Sequence, residues 1–354
     1  MPAVLVIIDV PFALGLYVRY ASHLELFSSF FGCALDVYCP HARIGELLEN
    51  NPGVGRLLTA DSLDPVDIEH YDTVLVYSVA EEKYHDYFRG QRRIQDLGGF
   101  YSILAWPFTD VVAAKRSFPL HEALLAYLKT ATFDRHGHLL PNRIYLTDAE
   151  KAWGEAFLRD RGVSDDQPLV VVLDEASHRD RVLRHSEHFA LVRHFLSFPR
   201  ARLLFFDHKR IGKSGIYRAV LGGNDAHRMI FAEGLPLRRE LSLLGSRFCR
   251  VVFGPGSGLL HCAAGLFADA QSSGPLLLGY VGAFKYEKYD EWYWWGNTQA
   301  NMMFKTNAGL TFFNRERGPA EYHNARILGC DQLRCTEIAG LLQAQFPAQL
   351  RALG

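Results

Sequence analysis

Short runs of consecutive apolar residues alternate along this chain with longer stretches in which apolar positions recur every three or four residues. Val4–Asp9 reads as a strand, and Tyr17–Phe31 as a helix with an apolar face at Tyr20, Leu24, Phe27 and Phe31. The strand Leu35–Cys39 and the short helix Ile44–Glu49 follow, then strands at Val54–Leu58 and Thr73–Tyr77. A charged helix over Glu81–Leu97, a strand at Tyr101–Ala105 and a helix over Pro119–Ala131 complete the first half. Apolar strands without a polar alternation, separated by helices, predict a parallel sheet covered on both faces.

The pattern changes over residues 141–166. Thr147 stands as an N-cap before a helix over Asp148–Arg161, Gly162 closes it, and the polar turn Ser164–Pro168 leads into a new strand at Leu169–Leu173. A second alternation then begins. Helices are predicted at Glu187–Leu196, Tyr217–Leu221, Leu237–Leu244, Leu259–Phe267 and Cys335–Phe346, and strands at Arg202–Phe206, Met229–Phe231, Arg250–Phe253 and Leu276–Tyr280. The economical architecture is α/β, with two Rossmann-like domains over residues 1–165 and 166–354.

Composition narrows the class. A chain of 354 residues suits two domains of ordinary size, and 49% hydrophobic with 22% charged residues is globular material. A net charge of −1 gives no excess of cations to displace counterions, which argues against a nucleic-acid partner. Six scattered cysteines without a CxxC pair read as reduced thiols, not as zinc ligands or disulfides. The amino terminus starts directly on a strand pattern, and no apolar run approaches bilayer length, so the expectation is a cytoplasmic protein or one peripheral at the inner face of a membrane.

The sharpest chemical signal is Val251–His261, a strand running into Gly254-Pro255-Gly256-Ser257-Gly258 and then into a helix. Glycines permit close backbone approach, and the amides and dipole at a helix start favour phosphate. A tight turn with no ligand would read the same. Basic clusters follow two neighbouring strands: His178, Arg179, Arg181 and Arg184 after the first, and His208, Lys209, Arg210 and Lys213 after the next. Loops at the carboxyl ends of strands meet over one crevice in such sheets, so three loops would converge on one anion. An aromatic and acidic segment, Phe284–Trp295, suits sugar hydroxyls or interdomain packing equally. In the first half Asp9, His41, Glu81, Glu82 and Asp110 end or follow strands and are candidate general bases.

With these residues the chain resembles the heptosyltransferases of glycosyltransferase family 9. Ala34–Leu58, with its Asn51-Pro52-Gly53-Val54 segment, is similar to the family's second strand and the segment after it. Pro141–Asp174 resembles its interdomain passage, His185–Leu196 and Leu235–Leu244 two of its helices, and Ile327–Leu342 its closing helix. Gly256–Gly265 is similar to its D-[ST]-G-x-x-H-x-A-A signature. The resemblance implies a GT-B fold, two Rossmann-like domains with parallel sheets facing across a cleft, the first binding acceptor and the second nucleotide-sugar. It implies an inverting, metal-independent transfer of a sugar, a heptose in the family, to a glycan, glycolipid or glycoprotein hydroxyl in bacterial-type glycan or lipopolysaccharide synthesis. No cofactor is implied beyond the donor itself.

Carried over residue by residue, Ser257, Gly258 and His261 would lie beside the donor diphosphate, and the family's basic residue falls among Arg179, Arg181 and Arg184. Two departures stand out. The signature's leading acid is Gly256 here, and the family's L-G-D loop corresponds to Leu14-Gly15-Leu16, which holds no carboxylate. Asp9, nearest in sequence, is the candidate base in its place. The alternative reading is a catalytically inactive relative that binds a nucleotide-sugar or glycan. A dinucleotide oxidoreductase is disfavoured, because Val10–Gly15 after the first strand is not G-x-G-x-x-G.

Overall fold

A computed structural model of the protein describes residues 2–9, 14–59, 70–78, six residues within 123–131, 142–176, 179–223, 225–269, 274–283, 297–318 and 320–354. The predicted helix Glu81–Leu97 and strand Tyr101–Ala105 lie outside these residues. The chain divides into two compact units, Met1–Leu140 and Pro141–Gly354.

In the first unit, β1 (Val4–Asp9), α1 (Leu14–Phe31), β2 (Leu35–Tyr38), α2 (Ala42–Leu48), β3 (Val54–Leu58) and β4 (Thr73–Ser78) follow the predicted order. The strands form a parallel sheet in the order β3-β2-β1-β4. β1 is central, and Val4 to Ile8 are all buried, which is why it carries no polar alternation. Tyr17, Val18, Ala21, Leu24 and Phe27 form the buried face of α1. The Asn51-Pro52-Gly53-Val54 segment has a packing cause. Buried Asn51 donates to Ala21 O of α1 at 2.9 Å and accepts from the Gly53 amide at 2.9 Å. A Cβ on Gly53 would stand 2.7 Å from Leu24 O, so only glycine lets α1 lie against this turn.

The second unit contains α3 (Asp148–Arg159), β5 (Leu169–Val172), α4 (His185–Leu196), β6 (Arg202–Asp207), α5 (Lys213–Leu221), β7 (Met229–Glu233), α6 (Leu237–Leu244), β8 (Cys249–Pro255), α7 (Gly258–Leu266) and β9 (Leu276–Tyr280). β10 (Ala300–Thr306), β11 (Gly309–Asn314), α8 (Ala320–Asn324), α9 (Cys335–Gln345) and α10 (Pro347–Arg351) close the chain. The seven strands run β11-β10-β9-β8-β5-β6-β7, parallel throughout except that β11 returns antiparallel on β10. That hairpin is not among the predicted elements.

The second unit opens at Pro141, ahead of the boundary suggested near residue 165, because α3 packs on α6. Thr147 and Glu150 form a reciprocal capping box at the start of α3. Glu150 also receives the Arg238 guanidinium of α6 at 2.7 and 2.6 Å, and Arg238 reaches Tyr145 O at 2.8 Å. Gly154 brings the helices together: a Cβ there would meet Ser242 O at 2.4 Å. The six cysteines form no disulfide.

Candidate functional site

Strand order locates the site in the second unit. From β5 the chain proceeds to β6 and β7 on one side; β8 then returns next to β5, and β9, β10 and β11 continue on the other side. The order therefore reverses between β5 and β8, and in open α/β sheets ligands bind at the carboxyl ends of the strands flanking such a reversal. At that edge β8 ends in Pro255 and passes through Gly256 and Ser257 into α7.

The turn is pinned without consuming the helix start. The Gly256 amide donates to Tyr280 O of β9 at 3.0 Å. Ser257 takes the extended N-cap conformation, with φ −137° and ψ 165°, but its side chain makes no cap hydrogen bond. Gly258, half-buried like Ser257, is the first residue of α7. Among the described residues, the amides of Ser257 and Gly258 are thus left without a side-chain acceptor at the edge where an anion would enter.

The starts of α3, α5 and α9 are filled by the protein's own carboxylates, whereas those of α4, α6 and α10, like that of α7, have no side-chain cap. Glu150 lies in the capping box of α3, and Glu187 accepts from the Cys335 amide of α9 at 2.7 Å. At α5, Asp207 is fully buried and accepts from the amides of Ile211, Gly212 and Lys213 at 2.9, 2.9 and 3.0 Å. Burial opposes the charge on Asp207, but these three amides and Lys213 outweigh it and hold its pKa below the ordinary value. An anion has no comparable access to the start of α5.

The basic residues behave differently from one another. Lys213 is buried, and its Nζ donates to Asp174 at 2.5 Å, to Phe206 O at 2.7 Å, and contacts Glu175 at 2.8 Å. An ammonium has three N–H donors, so Lys213 is saturated within the protein. Burial works against its charge; Asp174 and Glu175 prevail and raise its pKa. The Tyr217 hydroxyl donates to the other Asp174 oxygen at 2.8 Å and lies 2.6 Å from His188 Nε2. Burial first, with Lys213 adding to it, pushes the His188 pKa down to about 4 despite Asp174.

Arg179 and Arg181 lie in a short 3-10 turn beyond β5, Arg179 exposed and Arg181 half-buried. Arg184 pairs with Asp331 at 3.1 Å on the surface. Lys209 is exposed, with its Nζ 3.9 Å from Glu175. His261 lies in the first turns of α7 and is fully buried beneath the glycine turn. Asp174 and Asp207 are not among the candidates the sequence suggests, although each directly follows or ends an apolar strand, the position from which a carboxylate can cap or pair.

In the first unit Asp9 ends β1, and His41 precedes α2 with its ring edge-on to Tyr17 at 6.5 Å. Burial, with the nearby Asp9 charge assisting, pushes the Cys39 thiol up to about 11. Leu14, Gly15 and Leu16 form the first turn of α1. His178, Glu81, Glu82, Asp110 and Phe284–Trp295 lie outside the described residues.

No protein-family model matches the chain, and no curated protein matches it. Solved structures do. The ADP-heptose lipopolysaccharide heptosyltransferase II of E. coli aligns at a TM-score of 0.64 and 15% identity, covering 99% of this chain and 98% of that one. A family 9 glycosyltransferase from Veillonella parvula aligns at 0.59 and 14% identity over 84% of each chain. An E. coli heptosyltransferase holding ADP-2-deoxy-2-fluoro heptose aligns at 0.53 and 11% identity, covering 97% of this chain and 99% of its own. At these identities what is shared is architecture: the chain has a heptosyltransferase-like GT-B fold, with two Rossmann-like units.

Proposed function

We propose that this protein is a glycosyltransferase that moves a sugar from a nucleotide-sugar donor to an acceptor hydroxyl, with inversion and without a metal ion. The observation that carries the reading is the start of α7: a glycine turn at the strand-order reversal whose helix amides have no side-chain cap. In this reading the donor diphosphate sits on the amides at Ser257 and Gly258. Arg179, Arg181 and Lys209 supply cations around it, while Gly256 and His261 shape the turn from its start and from beneath. As the sugar–phosphate bond breaks, negative charge grows on the leaving diphosphate, and fixed amides with guanidinium or ammonium groups stabilise it in the way a metal ion otherwise would. Lys213 contributes indirectly, by holding Asp174 and Glu175 at the end of β5.

Inversion requires a base that takes the acceptor proton as its oxygen attacks the anomeric carbon. Asp9, at the carboxyl end of β1, is the group proposed for that role. The first unit is the proposed acceptor domain, for a glycan, glycolipid or glycoprotein, and the proposed setting is the cytoplasm or the inner face of a membrane. ADP-heptose is the first donor to try, since one of the similar structures holds its fluorinated analogue.

A second reading, a binding protein without turnover, is favoured by one observation: Leu14-Gly15-Leu16 opens a helix and contains no acid. Release of nucleoside diphosphate from a panel of ADP-, GDP-, UDP- and CDP-sugars separates the two. Acceptor-dependent release supports the transferase. Tight nucleotide binding with no release from any donor supports the binding protein.

A further inference from the structure

Arg210 is held in a conformation that its side chain does not favour. Among the described residues only Asn50 and Arg210 are non-glycines with positive φ, at 62° and 54°. Asparagine enters that region readily, and a long side chain does not. The turn after β6 imposes it. Asp207 O accepts both the Arg210 amide at 3.0 Å and the Gly234 amide at 2.9 Å, while the Asp207 carboxylate takes the next three amides. The side chain is placed as well. A Cβ on Gly234 would stand 2.8 Å from both Cζ and Nη2 of Arg210, so the guanidinium lies in the space this glycine leaves at the end of β7. Arg210 is nonetheless exposed, and among the described residues its side chain has no ion pair or hydrogen bond, even with the exposed acid Glu233 beside Gly234.

A strained backbone that presents a fixed, unpaired guanidinium does nothing for the fold, and such outliers gather at ligand sites. The adjacent cation points elsewhere. Lys209 Nζ lies 3.9 Å from Glu175, just beyond β5, whereas Arg210 turns toward the end of β7. β7 is three strands from β8, about 14 Å at ordinary strand spacing. Arg210 is therefore out of reach of a diphosphate held at the α7 turn. The part of a nucleotide that extends that far along the edge of the sheet is its base. We infer that Arg210 contacts the nucleobase of the donor, with its guanidinium plane stacked on the ring. A planar, weakly hydrated guanidinium stacks on aromatic faces in a way that a lysine ammonium does not. This role rests on the anion site proposed at α7.

Calorimetric titration of the full chain with ADP, GDP, UDP, CDP and inorganic pyrophosphate tests it, on wild type, Arg210→Asn and Arg210→Lys. The wild type is expected to bind its best nucleotide more tightly than pyrophosphate. Both variants should lose about ten-fold in affinity for that nucleotide, the worth of one stacked base. Pyrophosphate affinity should stay within about two-fold of wild type, because at physiological salt charges this far apart are screened. Arg210→Asn should melt at or above the wild-type temperature, since asparagine accepts the left-handed backbone. Melting below wild type would make Arg210 a structural residue and overturn the role. Full nucleotide affinity in Arg210→Lys would reduce the contact to charge, and full affinity in both variants would remove it; either result overturns the role, as does an equal loss of pyrophosphate and nucleotide binding. A wild type that binds pyrophosphate as tightly as nucleotide overturns it and leaves the α7 site standing. Binding of neither overturns both.

Discussion

Asp207→Ala opens a helix start that the protein fills with its own carboxylate, and its cost can be worked from the structure. Asp207 accepts three amide hydrogen bonds at the start of α5 while fully buried. Bonds to a charged partner contribute about 1.5–3 kcal/mol each, but they are not independent. The Lys213 amide is buried and would be stranded, at a cost of about 2 kcal/mol. The amides of Ile211 and Gly212 belong to exposed residues and can recruit water, so each costs about 0.5–1 kcal/mol. The expected loss is therefore about 3–4 kcal/mol, read as a lower midpoint in the urea unfolding of the second unit.

The pH dependence supplies a second reading of the same group. The folded pKa of Asp207 is depressed, so its stabilisation is complete above the unfolded aspartate value and fades as pH falls through the folded value. The alanine variant should lack that acid component. A loss below about 1 kcal/mol, with an unchanged acid limb, would refute the view that Asp207 fills the start of α5 and denies it to an anion.

Gly154→Ala should cost about 1–3 kcal/mol in thermal unfolding, because its Cβ would press on Ser242 O at the α3–α6 contact. Lys213→Met should cost about 3 kcal/mol by leaving Asp174 and Glu175 without their shared counterion, and adding Asp174→Asn should recover part of it. His188 titrates near 4 in the folded protein, so unfolding free energy should rise from about pH 4 to 6.5 by up to about 1.4 kcal/mol per unit. A His188→Gln variant should flatten that slope. EDTA should leave turnover unchanged; loss restored by Mg²⁺ or Mn²⁺ would refute metal independence. Asp9→Asn should lower kcat by roughly 10²–10⁴-fold with donor affinity retained, and a stable, fully active variant would remove Asp9 from the mechanism.

The parallel sheets were legible because buried strands such as Val4–Asp9 and Leu169–Val172 are continuous apolar runs, and the α7 turn because glycines and the following helix period coincide. The β10–β11 hairpin is not among the expected strands, although Asn307-Ala308-Gly309 between Met302–Phe304 and Leu310–Phe313 is a turn between two apolar segments. Helix α5 begins at Lys213, four residues before the predicted Tyr217, since its start is organised by Asp207 and not by an apolar repeat. The role of Lys213 was hidden for a related reason. A lysine after a strand looks available to a ligand, and only tertiary placement of Asp174, Glu175 and Phe206 O shows its donors occupied.

A crystal structure of the full chain soaked with ADP tests the central claim most directly. The account predicts diphosphate oxygens about 2.7–3.1 Å from the amides at Ser257 and Gly258, with Arg179, Arg181 or Lys209 turned toward them. Diphosphate bound elsewhere, with the Gly256–Gly258 turn empty, would contradict it.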